Sequence, residues 1–431
     1  MHQNVFTQHN TKVGAKMALV VQKFGGSSVA DADRIRRVAK RAVECKENGN
    51  DVIVVVSAMG DTTDELLDIM KQISDTPPER ELDMLLSTGE QVSIALLAMA
   101  IHKMGHEVIS LTGTQAGIKT NDIYNKARIV NINTQRLHAE LKQGKIIVVA
   151  GFQGSNDIGD ITTLGRGGSD TTAVALAAAV QADVCEIFTD VDGVYTSDPR
   201  IVHNAQKLDS ISYDEMLELA SLGAVVLQPR AVEFAKHYNV IVHVRSSFNY
   251  NEGTIVKGEE KMEKERVVSG IAHDLNVAKI ALFDVPDRPG IARTLFQNLS
   301  AASVNVDMII QSTMRNEKND ISFTCSKDDL KKALEVVEKV CQEIGAGGFS
   351  FDDQVAKISI VGAGMVSNPG VAAQMFEALA EEDINIELIA TSEIKVSCII
   401  RASQAKLAVL ALHNKFELEK VKDSLKQKVA K

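Results

Sequence analysis

Residues able to do chemistry gather in three glycine-punctuated stretches. The first, Leu164-Gly165-Arg166-Gly167-Gly168-Ser169-Asp170-Thr171-Thr172-Ala173, follows an apolar run at 146–150 and opens into a helix-forming run at 174–182. Glycines let a backbone approach an anion closely, and amides at a helix start carry partial positive charge, so this turn suits phosphate or carboxylate. Arg166 adds a planar fork that can grip a carboxylate with two hydrogen bonds. Ser169 and Asp170 fall where a helix N-cap is expected, a role that explains neither Arg166 nor the glycines around it. The second stretch, Lys23-Phe24-Gly25-Gly26-Ser27-Ser28-Val29, sets a lysine at a strand end beside a nest of amides. A cation there can neutralise charge moving between a phosphate donor and its acceptor. In the third, Phe188-Thr189-Asp190-Val191-Asp192-Gly193-Val194-Tyr195-Thr196-Ser197-Asp198-Pro199-Arg200, Asp190 can accept from a ribose or adenine, Tyr195 can flank a base and Arg200 can reach phosphate. Turn chemistry alone also accounts for such Asp, Gly and Pro residues.

Glu90, in Ser87-Thr88-Gly89-Glu90-Gln91, stands at an expected glycine break before an apolar helix over 92–104. A carboxylate so near a buried segment is costly unless paired, either by a substrate amino group or by a neighbouring Lys or Arg. Phosphoryl transfer needs charge against phosphates, Mg²⁺ and an acceptor oxygen held in line. The chain has neither a Walker A motif nor the protein-kinase motifs, so the three stretches must supply these by another route.

The elements that would position them alternate. Strands are expected at 19–22, 52–56, 107–111, 145–150, 184–189 and 240–244, with helices at 31–47, 82–103, 134–142, 171–182 and 213–222. A capping-box spacing, Thr62 to Glu65, precedes Leu66, Leu67 and Ile69. Such alternation implies an α/β fold with a mostly parallel sheet covered on both faces, and ligands beyond the carboxyl ends of its strands. The run 257–266 is charged without an apolar face, which marks a linker. Beyond it a unit repeats: Pro289-Gly290 and Pro369-Gly370, like Asn305 and Asn385, stand 80 residues apart. Each copy reads as a ferredoxin-like βαββαβ module with Pro-Gly at a helix start. Ile358 to Gly364 imitates the opening of a dinucleotide fingerprint, but Ser367 replaces its third glycine.

In combination, the three stretches resemble those of the aspartate kinases, over about Leu19 to Phe416. The resemblance implies an amino-acid-kinase-like αβα sandwich followed by two ACT units. It divides the chain into a catalytic domain (17–256), a linker (257–268) and ACT units at 269–350 and 351–431, preceded by a polar extension (1–16) that reads as a disordered tail, a tag or an upstream start. It implies ATP-dependent phosphorylation of the side-chain carboxylate of L-aspartate, first step towards lysine, threonine and methionine, inhibited by lysine, threonine or both. Lys23 and Asp170 take catalytic positions, and Thr63, Glu90, Arg166 and Ser169 contact aspartate. ATP falls to Lys23, Gly25, Gly26, Thr189, Asp190, Tyr195, Asp198 and Arg200, with Mg²⁺ carried mainly by the nucleotide phosphates and no protein metal site. An acceptor carboxylate barely needs deprotonation near pH 7, which favours a positioning and electrostatic role for Asp170. The effector is expected at Asp287, Gly290, Asn305, Asp307 and Gln311 of the first unit and Asn385, Ile386, Ser392 and Glu393 of the second. Helix capping and turn formation explain the Asp and Asn members equally well.

One departure stands out: the family usually carries Gly-Ala-Lys-Val-Leu where this chain has Gly223-Ala224-Val225-Val226-Leu227. Losing that cation points to weaker nucleotide binding, and keeps open a catalytically weakened amino-acid sensor. A kinase of the same fold for another small acceptor is the other alternative. A homodimer through the ACT units, or a higher oligomer, is expected because exposed sheet edges pair.

Composition agrees with an ordinary globular protein: 431 residues, 45% hydrophobic and 24% charged. A formal net charge of -10 argues against nucleic acid as a partner. No uncharged apolar run approaches the ~18 residues of a membrane span, so no membrane is expected. Five cysteines without C-x-x-C spacing point to the cytoplasm.

Overall fold

The structure, a computed structural model, describes residues 18–222, 226–258, 267–314 and 317–420. The substitution at Val225, most of the charged linker and the N-terminal extension lie outside these residues. Two compact units separate between Asp192 and Gly193: the first also takes Phe234–Gly253, the second Gly193–Glu233 and the chain from Thr254.

In chain order the elements up to the third motif are β1 (Leu19–Phe24), α1 (Ala32–Glu47), β2 (Asp51–Val56), α2 (Thr62–Ile73), α3 (Glu79–Lys103), β3 (Val108–Leu111), β4 (Ile118–Thr120), β5 (Ile129–Ile132), α4 (Gln135–Lys142), β6 (Ile146–Ala150), β7 (Gln153–Ser155), β8 (Ile161–Thr163), α5 (Gly168–Val180) and β9 (Val184–Thr189). There follow β10 (Ser210–Ser212), α6 (Tyr213–Ser221), α7 (Pro229–Tyr238), β11 (Val242–Ser246) and β12 (Thr254–Lys257). In the first unit the strands run parallel in the order β11-β9-β1-β2-β6-β3. Val52 to Val56 are all buried, as a strand covered on both faces requires. Ile35, Val38 and Ala42 of α1 join Ile94, Leu97 and Ile101 of α3 on one face, over Val54, Val56, Val148 and Phe24. Helices α4 and α5 cover the other. Phe24 and Phe188 stack on neighbouring strands at 4.5 Å, and burying each ring contributes about 2–3 kcal/mol.

The sequence pattern contains no sign of a second sheet, β5-β4-β7-β8, whose strands of three or four residues are too short to show alternation. It hangs from α3, where Gln153 Nε2 donates to the Ser87 carbonyl at 2.9 Å. Helix α3 has the length and mean hydropathy of a membrane span. Here it is a core helix that carries buried Asp83, Ser87 and Glu90 beside its apolar residues. Gly89 does not break it: a Cβ there would stand 2.7 Å from that of Ala58, so glycine lets the helix close on the loop after β2. The expected capping box is also absent. Glu65 N–H bonds to the Asp61 carbonyl, so Thr62 already lies within the first turn of α2 and cannot cap it.

In the second unit the repeats comprise β13 (Gly270–Asp274), β14 (Ala278–Pro286), α8 (Ile291–Ala301), β15 (Val306–Gln311), β16 (Lys318–Cys325), α9 (Leu330–Ile344), β17 (Gly348–Asp352), β18 (Val355–Val361), α10 (Val371–Glu381), β19 (Leu388–Thr391), β20 (Lys395–Arg401) and α11 (Ala405–Lys415). The first repeat is a complete βαββαβ module with strand order β15-β16-β14-β17. The second has order β13-β18-β20-β19, so its fourth strand is β13, from the stretch expected within the first ACT unit (269–350). Among the described residues no strand follows α11, which leaves one edge of β18 for β13 to fill, with Ile271 in that repeat's core. Gly290 and Gly370 adopt φ of +101° and +97° just before α8 and α10, a conformation that disfavours any side chain there. Strand β18 pairs antiparallel on both sides, so the glycines after it do not open a dinucleotide-binding βα turn.

Candidate active site

Strand parity decides where Lys23 points. Phe24 packs beneath α1 and α3, so Lys23, one residue earlier, faces α5. Its Nζ lies 2.6 Å from Asp170 Oδ1, both side chains nearly buried, although the angles fall short of a well-formed hydrogen bond. Asp170 is placed by the glycine turn. Gly165 and Gly167 are left-handed at φ +75° and +71°, and α5 starts at Gly168 with Gly167 as its cap. Ser169 and Asp170 therefore sit inside the first turn and do not cap it, contrary to the structural role open to them in the sequence. Their amides are among those a helix start leaves without an intrahelical acceptor. Arg166 is exposed on the same turn and forms no ion pair among the described residues.

Neighbouring loops press in from below. A Cβ on Gly26 would stand 2.9 Å from the Ala58 carbonyl oxygen and 3.0 Å from that of Gly60. The Ala58 amide donates to Glu90 Oε1 at 3.1 Å, while Glu90 Oε2 is buried without a hydrogen-bond partner among the described residues. Burial pushes the Glu90 carboxyl up to about 7, against hydrogen bonds that favour its ionised form. A carboxylate with one satisfied and one orphaned oxygen is suited to an incoming ammonium. Thr63 lies half-buried in the first turn of α2.

Asp83 has the clearest supporting role that sequence reasoning missed. Its carboxylate, fully buried, accepts from the Thr163 amide at 2.9 Å, the Thr163 hydroxyl at 2.6 Å and the Asn125 amide at 3.0 Å. Thr163 ends β8 and leads directly into the glycine turn, so Asp83 ties that turn to α3. Burial pushes its pKa up, opposed by these hydrogen bonds. The one sequence signal was an acid just ahead of the apolar Met84-Leu85-Leu86 within this helix.

Of the expected nucleotide residues, Thr189 ends β9 in the first unit and Asp190 follows it, with the Thr189 hydroxyl donating to Asp190 Oδ1 at 3.0 Å. Tyr195, Asp198 and Arg200 belong to the second unit. There Arg200 forks onto Asp198, with Nε and Nη2 at 3.0 and 2.8 Å, and these bonds hold the Asp198 carboxyl below its usual range. In the first repeat, Asp287, Gly290 and Gln311 share a cavity of about 390 Å³ with Asn319 and Ile321. Asn305 and Asp307 lie outside its lining; Asp307 is paired with Lys357 of the second repeat. Asn385, Ile386, Ser392 and Glu393 flank β19 and do not line this cavity.

The amino acid kinase family model matches residues 18–246, and the ACT domain model matches 284–340 and 358–416. The aspartokinase of Bacillus sp. (strain MGA3) is 55% identical over 402 residues, covering 93% of this chain and 98% of that protein. The chain belongs to the aspartokinase family. As an aspartokinase it is an enzyme, a phosphotransferase with an amino-acid-kinase catalytic domain and allosteric ACT repeats. Among solved aspartokinases, the E. coli aspartokinase III complex with aspartate and ADP matches with TM-score 0.77 and 26% identity, over 92% of this chain and 99% of that one. The same E. coli enzyme with lysine and aspartate matches with TM-score 0.73 and 25% identity, again over 92% and 99%. These relatives support aspartate as the acceptor over the other acceptors of the fold, and a working kinase over a sensor.

Proposed function

We propose that this aspartokinase holds L-aspartate between Glu90, Thr63, Ser169 and Arg166, with its side-chain carboxylate facing the terminal phosphate of ATP. A carboxylate oxygen attacks the γ-phosphorus, the bond to the β–γ bridging oxygen breaks, and ADP leaves beside 4-phospho-L-aspartate. No proton has to move, because the acceptor is already ionised near pH 7. Lys23 neutralises charge developing across the transferring group, and Asp170 holds the lysine in place through their 2.6 Å ion pair. Glu90 takes the substrate ammonium and Arg166 its α-carboxylate. Gly25, Gly26, Thr189, Asp190, Tyr195, Asp198 and Arg200 receive the nucleotide, on whose phosphates a bound Mg²⁺ would offset negative charge. The catalytic domain spans 17–256, with a linker at 257–268.

Lysine, threonine or both bind the ACT units at the cavity of Asp287, Gly290 and Gln311, with Asn305, Asp307, Asn385, Ile386, Ser392 and Glu393 completing the site in a homodimer or higher oligomer. The five free cysteines suit a reducing compartment, the cytoplasm. The observation that carries the catalytic reading is the Lys23–Asp170 contact at the mouth of the Arg166 turn. Coupled ADP release with aspartate, glutamate and acetylglutamate in parallel, with hydroxylamine trapping of the acyl phosphate, tests it. Release with aspartate and a trapped hydroxamate is the expected result, and turnover with another acceptor alone would overturn it.

A further inference from the structure

The turn that follows Tyr195 is built into the core of the second ACT repeat. Val202 is buried among Ile358, Ile360, Met375 and Leu412, with Ile201 and Ala205 packed against the same cluster. Thr196, between Tyr195 and Asp198, is held from three directions. Its carbonyl accepts from the Ile271 amide of β13 at 2.8 Å. Its hydroxyl accepts from the Gln206 amide at 3.0 Å and meets His413 Nε2 at 3.1 Å. Thr196 and His413 are both fully buried, at 0% exposure. His413 stands on α11, the last helix among the described residues, beside apolar Ala405, Ala408, Val409 and Leu412. Its Nδ1 faces Glu419 Oε2 at 4.0 Å. An imidazole in such a setting is costly unless its polar atoms are engaged, and Nε2 is engaged by the turn.

We propose that His413 is a positioning residue for ATP: through the Thr196 hydroxyl it holds the Tyr195–Arg200 turn in the shape that receives the nucleotide. The inference rests on the reading of that turn as part of the nucleotide site. The hydrogen bond pins the turn directly after Tyr195. Without it the turn spends less time in the receptive shape, and apparent ATP affinity falls by the same factor. Thr63, Glu90, Arg166 and Ser169 sit on other elements, so aspartate binding is spared.

The test uses the full chain and measures KM for ATP, KM for aspartate, kcat and melting temperature. His413→Leu should raise KM for ATP about five- to ten-fold, the loss of one buried hydrogen bond, with KM for aspartate and kcat within about two-fold. His413→Gln, whose amide reaches the place of Nε2, should restore it. Thr196→Val should repeat the defect and Thr196→Ser should not, which keeps the test alive if His413→Leu fails to fold. The double variant should be no worse than either single one, as expected when both remove the same contact. A lower melting temperature with unchanged KM for ATP, or an equal rise in both KM values, overturns the proposal and leaves His413 a packing residue. A wild-type chain that releases no ADP with aspartate would instead overturn the assignment of the reaction.

Discussion

Replacing Glu90 by glutamine should separate what this carboxylate does for binding from what it does to stability. In the ligand-free protein burial holds its pKa at about 7, with one oxygen on the Ala58 amide and the other unpartnered. If the ionised form alone accepts the substrate ammonium, the competent fraction is about 10% at pH 6 and about 90% at pH 8. The pH profile of kcat/KM reports the free enzyme, so kcat/KM for aspartate should climb about eight- to ten-fold over that interval and level off above it. Glu90→Gln should abolish the climb and lower kcat/KM at pH 8 by about thirty-fold or more, the result of leaving a buried ammonium without its counter-charge. Stability should move the other way. The carboxyl ionises in the unfolded chain above its ordinary 4.5 but keeps its proton in the fold up to about 7. Its burial therefore destabilises the fold increasingly as pH rises from 4.5 to 7 and by a constant amount beyond, at most about 3 kcal/mol. Ligand-free Glu90→Gln should consequently melt higher than wild type at pH 8 and show no such gain at pH 4.5. Stopped assays across pH 6 to 8 with ATP saturating, and thermal melts at both pH extremes, supply the data. A flat wild-type profile, or the same climb surviving in the glutamine variant, would refute the reasoning.

Arg166→Ala should raise KM for aspartate about a hundred-fold while ATP binding by calorimetry stays intact, because the side chain is exposed and forms no ion pair among the described residues; loss of ATP binding would mean the two subsites are exchanged. Asp83→Asn should destabilise the protein by about 3 kcal/mol, since an amide cannot accept from all three donors it faces, and should also raise KM for aspartate through the turn after Thr163. Denaturant melts and initial rates check both effects, and an unchanged midpoint would remove Asp83 from the site's support. Gly26→Ala drives a Cβ against the Ala58 and Gly60 carbonyls, so kcat should fall at least about ten-fold as Lys23 and the loop under Glu90 move apart; full activity in the alanine variant would show that the close approach is unimportant.

Much of the fold was legible because its signals are local. Val52 to Val56 and 146–150 read as strands covered on both sides, and the repeat offset of 80 residues announced two like modules. The small sheet of β4, β5, β7 and β8 was not legible, since strands of three or four residues carry too few positions to show a period. For the candidate site, residue types and neighbourhoods pointed to Lys23, Asp170, Glu90 and Arg166. They also pointed to caps that do not form: Thr62 and Ser169 lie a residue or more inside their helices. Cap position depends on where the first turn closes, and in α5 that is set by two left-handed glycines.

By itself the sequence determined the alternation that makes a parallel sheet, the glycine turns at its carboxyl end, the duplicated modules and the kinds of side chain available for phosphoryl transfer. Each follows from the conformational preferences of residues a few positions apart. Tertiary structure alone decided that β13 completes the sheet of the second repeat, that Asp83 steadies a turn 80 residues away, and that His413 meets Thr196 across 217 residues. Such pairings join groups that share no local pattern, and only the packing of distant segments determines which buried donor faces which acceptor.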